Sequence, residues 1–177
     1  MKRPSFPRGQ ACLWLALLLL VPVQSTVMPR LWGVHPNLAV LLVYGVALVR
    51  PPFTAALVGG AAGLLLDAAS GRMVGIQVLS LFLTGYAVGI FKEQFFRTTL
   101  LLHLAGLLLA ALLEGTLAAL LLISFGFPLV PGTALLRVIL PQALSTAGLG
   151  LILGLLVPAR FLEEERSKPR EALAWKD

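Results

Sequence analysis

The chain is 177 residues long, 58% hydrophobic and only 12% charged, with a mean hydropathy of +0.92. A soluble domain carries about 25% charged residues, so this sequence cannot clothe a water-soluble surface and reads as an all-α integral membrane protein. The formal charge of +6 sits in clusters at the ends of apolar runs, with no basic patch interleaved with aromatics, which excludes nucleic-acid binding and points to membrane topology.

Residues 1–10 carry Lys2, Arg3 and Arg8 with Pro4 and Pro7, and read as a basic cytoplasmic tail. Residues 11–159 form the predicted transmembrane domain. Its first apolar segment, Ala11–Met28, reads as an uncleaved span, although Val23-Gln24-Ser25 also offers small residues in a cleavage-like pattern. A short link with Arg30, Trp32 and His35 then leads to Pro36-Asn37, a helix-start signature. Leu38–Val49 follows, an apolar stretch short for a membrane about 30 Å thick, and Arg50-Pro51-Pro52 breaks the chain behind it.

Phe53–Ala69 and Val74–Phe91 are the next two spans, joined by the polar link Ser70-Gly71-Arg72-Met73. As helices they place Gly59, Gly63 and Asp67 on one side of the first, and Gly75, Val78, Phe82, Gly85 and Gly89 on one stripe of the second. Glycine stripes let backbones approach closely in lipid, where the hydrophobic effect gives helices no reason to associate. The pattern suits packing within the bundle or a groove for a partner's span. Lys92–Arg97 is a polar link, Thr98–Phe125 a long fifth span holding His103 and Glu114, and Gly126–Pro131 a turn. Ala134–Val157 is the last span, with Arg137 near its start, and residues 160–177 form a charged cytoplasmic tail. The count is six spans. Placing Lys2, Arg3, Arg8, Arg50, Lys92, Arg97, Arg160, Arg166, Lys168, Arg170 and Lys176 inside leaves only Arg30, Arg72 and Arg137 outside, of 14 basic residues in all. That asymmetry puts both termini in the cytoplasm.

The single cysteine, Cys12, rules out an intramolecular disulfide and a Cys-based metal cluster. Asp67 is expected to satisfy the backbone of the Ser70–Met73 link, to pair with Arg72, or to meet a partner protein. Glu114 lies near the middle of the fifth span, and an ionised carboxylate there costs roughly 2.5–3.5 kcal/mol on insertion scales. It is expected to face the bundle interior, hydrogen-bonded to Ser, Thr or Gln, or to make a polar contact with another membrane subunit. His103 shares its face but stands roughly 16 Å away at 1.5 Å per residue, too far for a dyad. Arg137 either snorkels to the headgroups or pairs with Asp67 or a partner. Neither a phosphate loop, nor metal-ligand spacing, nor a Ser-His-Asp order is present, so no catalytic residue, cofactor or metal is expected. The alternative to a protein-binding role is a small-molecule subunit of a vitamin or metal transporter, whose polar groups here would be Gln77, Asp67 and Gln142.

Three stretches resemble the MreD family of bacterial rod shape-determining proteins: Pro36-Asn37-Leu38 opening a span, Gly59–Asp67 followed by Ser70-Gly71, and Gly75 followed by Leu81–Gly89 (LFLTGYAVG). The resemblance covers roughly residues 33–160. It implies a non-enzymatic subunit of the cell-elongation complex in the inner (cytoplasmic) membrane. Its partners would be MreC, a single-span protein, together with the MreB filament, the RodA glycosyltransferase and a class B penicillin-binding protein. The family is in turn similar to the six-helix substrate-binding subunits of energy-coupling-factor transporters. From their helical spacing and the turn between the two spans, Gly59, Gly63, Asp67, Gly71, Arg72, Gly75, Gly85 and Gly89 are the expected partner-binding or helix-packing residues. The chain departs from the family pattern in its short second span and in Glu114.

Overall fold

The computed structural model describes residues 35–71, 75–95, 100–128 and 130–156. The predicted first span, both tails and Arg72 lie outside the described residues. Every regular element among the described residues is helical: α1 (Leu38–Val49), α2 (Pro52–Ser70), α3 (Ile76–Phe95), α4 (Leu100–Ser124), α5 (Pro131–Ala134) and α6 (Leu140–Leu156). A π-helical segment, Leu135–Ile139, joins α5 to α6 without a break.

Local chemistry sets the boundaries. Asn37 caps α1: its side-chain oxygen accepts from the N–H groups of Ala39 and Val40, two of the donors a helix start leaves unpaired. Pro52 opens α2 at a position where a missing N–H costs nothing. Gly71 closes it in the left-handed conformation, at φ 61°. Gly126, at φ 83°, ends α4, with Gly126 N–H on the Ile123 carbonyl and Phe127 N–H on that of Leu122. This paired bonding closes the orphan carbonyls of a helix end.

Two sequence boundaries need correction. Lys92-Glu93-Gln94-Phe95 continues α3 rather than starting a link, and the Lys92 ammonium donates to the Arg50 carbonyl at the end of α1. The last helix begins at Pro131, inside the predicted turn. The π segment has its cause in Pro141, which cannot donate an N–H back to the Arg137 carbonyl. The ladder loosens ahead of it, and Leu140 N–H reaches five residues back to Leu135.

α1 is the centre of the bundle and packs against α2, α3, α4 and α6. Ala39, Val40, Val43, Tyr44, Val46 and Ala47 are buried along it, against Ala55, Val58 and Ala62 of α2, Leu81 of α3 and Leu107, Ala110 and Ala111 of α4. The outside is as apolar as the inside: Phe53, Leu57, Leu101, Leu120, Leu136 and Ile152 are each more than half exposed. A surface of that kind belongs in lipid, not in water. Among the described residues three helices are long and apolar enough to cross a membrane: Pro52–Ser70, Leu101–Ser124 and Pro131–Leu153. Leu38–Val49 and Ile76–Lys92 are shorter apolar helices.

Candidate functional site

Two polar constructions lie inside the bundle. The first surrounds the start of α1. Asn37, 3% exposed, and Glu114, also 3% exposed, face each other across the interior, and Asn37 Nδ2 donates to Glu114 Oε2 at 3.2 Å. The Asn37 backbone N–H donates to Thr146 Oγ1 at 2.9 Å, and that hydroxyl donates in turn to the Gln142 carbonyl at 2.7 Å. Pro36 just ahead is fully buried. One asparagine thus serves three elements: its oxygen caps α1, its amide nitrogen holds the α4 carboxyl, and its main chain is bound to α6. Glu114 finds an asparagine where sequence favoured Ser, Thr or Gln. Gly115 beside it takes the side chain of Ile139, which an added Cβ would meet at 2.7 Å.

The second construction is the α2–α3 hairpin. Asp67, 2% exposed, accepts from Gly75 N–H at 2.7 Å, Gln77 N–H at 3.3 Å and Val78 N–H at 3.4 Å. Its carboxyl therefore caps the N-terminus of α3, where the helix dipole favours an acidic group. Of the 70–73 link, Ser70 Oγ donates to the Asp67 carbonyl, while Arg72 and Met73 lie outside the described residues. Below the cap the glycines are spent on close packing. An added Cβ on Gly59 would overlap the Leu81 carbonyl, and one on Gly63 the Gln77 carbonyl. On Gly85 it would stand 2.6 Å from the Ala55 carbonyl oxygen and 2.9 Å from Val43, and on Gly89 it would stand 2.5 Å from Pro52 Cα. These faces are turned inward, so they do not form a groove for a partner's span. Gly71 and Gly75 belong to neither face: nothing lies within 4 Å of a Cβ on either, and their φ values of 61° and 120° are what require glycine.

The remaining singled-out residues are scattered. Arg137 is exposed on the π segment, while Asp67 is enclosed by three N–H groups, so the two do not form a pair. The His103 carbonyl accepts from the Tyr44 hydroxyl at 2.8 Å, which holds α1 against α4 where Gly106 makes room for the ring. Asn37 and Thr146 were missed as interior polar groups. The Pro36-Asn37 pair did signal a cap, but nothing in the sequence points from it to residues 77 and 109 positions away.

An apolar cavity of about 340 Å³ lies between α1, α3 and α4, lined by Tyr44, Val88, Phe91, Leu109 and Leu113 among others. Its one polar side chain, Tyr44, already donates to His103. Ligand sites for polar metabolites pair an apolar wall with several converging polar groups, and Gln77 and Asp67 stand instead at the α2–α3 turn. No group of three or more His, Cys, Asp or Glu side chains suited to a metal occurs among the described residues.

Fold and site together define, over the described residues, a helical bundle with three helices able to cross a membrane, its interior fixed by buried hydrogen bonds and glycine contacts. Comparison with protein-family models, curated proteins and solved structures found no match to this chain.

Proposed function

We propose that this chain is a non-enzymatic scaffold of the MreD type, a six-span protein of the bacterial inner membrane with both termini in the cytoplasm. In this role it binds an MreC-like single-span protein and supports peptidoglycan synthesis and cell-shape control beside an MreB filament, a RodA glycosyltransferase and a class B penicillin-binding protein. One observation carries the reading: the three stretches of the resemblance are the ones that join the helices. Asn37 ties α1 to α4 and α6, Asp67 caps α3, and Gly59, Gly63, Gly85 and Gly89 set the helix spacing. Asn37, Asp67, Glu114 and Thr146 are used in holding shape, which is what a scaffold requires. Because the glycine faces are consumed inside the bundle, partners meet the lipid-facing side chains instead. Co-purification in mild detergent tests the reading. Retention of an MreC-like protein supports it, and a chain that never retains one overturns it.

A further inference from the structure

α1 is too short to cross a membrane, and its neighbours show where the missing length lies. A Cβ added to Gly85 of α3 would meet both the Ala55 carbonyl of α2 and Val43 of α1, so Val43 and Ala55 lie at about one level. α1 and α2 run in opposite directions from the Arg50–Pro51 corner, with Lys92 tied to Arg50 and Gly89 against Pro52. Going away from that corner, six residues of α1 (43 to 37) lead to Asn37, and six of α2 (55 to 61) lead to Ala61. α2 then continues from 61 to Ser70, about 13 Å at 1.5 Å per residue. α4 gives a second measure: beyond Glu114, which holds Asn37, it continues to Ser124, about 15 Å. Both put Asn37 about half of a 30 Å hydrocarbon core below the far ends of its neighbours.

We infer that α1 is a half-span: it begins near the middle of the membrane, and the chain reaches it there as non-helical backbone at His35–Asn37. The inference rests on the bundle being membrane-spanning. Its twelve residues, about 18 Å, cover the distance from that point to the cytoplasmic side. Irregular backbone at this depth is tolerated only where protein satisfies it, and that is the arrangement found. Pro36 is buried and has no N–H to satisfy. The Asn37 N–H is taken by Thr146, and the Ala39 and Val40 N–H groups by the Asn37 side chain. Glu114 is the positioning residue: it fixes the amide of Asn37 and so the depth at which α1 starts.

Spin labels test this on the full chain in liposomes, with single cysteines in a Cys12→Ser background. Positions 45, 53, 57 and 64 are all exposed on the outside of the bundle, and depth is read from the ratio of oxygen to nickel-chelate collisions. From the shared level of Val43 and Ala55, Gly45 lies level with Phe53. The label at 45 should match the depth at 53 and be clearly shallower than at 57 and 64. A label at 45 as deep as those at 57 and 64 would mean that α1 is centred in the membrane, and the half-span would be overturned. Labels at 57 and 64 that meet the nickel chelate as freely as water-exposed sites would overturn the membrane reading itself. In the same assay Glu114→Leu should shift the label at 45 towards the centre while Glu114→Gln, which keeps an acceptor, should not. An unmoved label in Glu114→Leu would remove Glu114 from the positioning role.

Discussion

Asn37 and Glu114 are 77 positions apart in the chain and 3.2 Å apart in the bundle. The amide faces both a helix start and a carboxyl, since its oxygen accepts from the Ala39 and Val40 N–H groups while its nitrogen donates to Glu114. An acid in that position would satisfy the helix and repel the carboxyl. A serine would cap but could not span the gap.

The first prediction concerns Glu114. Glu114→Gln keeps an oxygen for the Asn37 amide and nearly the same volume, so thermal stability in detergent should stay close to that of the parent. Glu114→Ala leaves a buried donor unpaired and opens a cavity, and should cost about 1–3 kcal/mol. Thermal unfolding followed by circular dichroism measures both. Equal losses in the two variants would mean that the charge, not the hydrogen bond, is what matters.

The second concerns the other half of the pair. Asn37→Asp retains the cap but sets a second carboxyl against Glu114, and like charges at this distance in a poorly solvated interior disfavour each other. Its loss of stability should be recovered in part by adding Glu114→Gln, whose amide donates to the new carboxyl. The double-mutant cycle gives the coupling directly. Additive effects would show that the two side chains do not interact.

The glycines divide into two groups with opposite expectations. Gly63→Ala forces its methyl into the Gln77 carbonyl and Val78 Cα, backbone that cannot turn aside, and should cost roughly 1–3 kcal/mol as α2 and α3 separate. Gly45 and Gly148 have nothing within 4 Å of a Cβ. Alanine at either should be neutral or stabilising, by up to about 1 kcal/mol of helix propensity. Retained detergent-unfolding midpoints for Gly63→Ala would mean that the hairpin is looser than its contacts indicate.

Much of this hairpin was legible in the sequence because its determinants are local. Gly59, Gly63 and Asp67 fall at one helical spacing, and Ser70-Gly71 marks the turn that brings the second stripe onto the first. The helix cap at Asn37 was equally readable from Pro36-Asn37. The Glu114 partner was not, since a hydrogen bond between distant segments leaves no spacing to detect. Helix ends are less legible where a charge resembles a link: Lys92 is polar, yet it lies within α3, its ammonium reaching the Arg50 carbonyl at the end of α1.

The last prediction is the cap of α3. Asp67 serves three N–H groups with two oxygens, Oδ2 receiving Gly75 and Val78 and Oδ1 receiving Gln77. Asp67→Asn leaves one oxygen, enough for the short bond to Gly75 or for the helix start but not for all three, and removes the charge that makes such bonds strong. Its loss should be intermediate. Asp67→Ala strips every acceptor and leaves three part-buried donors facing a small void, so its loss should be larger, with about 1–3 kcal/mol for an unsatisfied donor as the upper scale. Hydrogen exchange locates the effect: protection should fall first at the amides of Gly75, Gln77 and Val78, while those of α1 stay protected. Exchange that rises equally across all helices would mean that Asp67 holds the whole bundle rather than the start of α3.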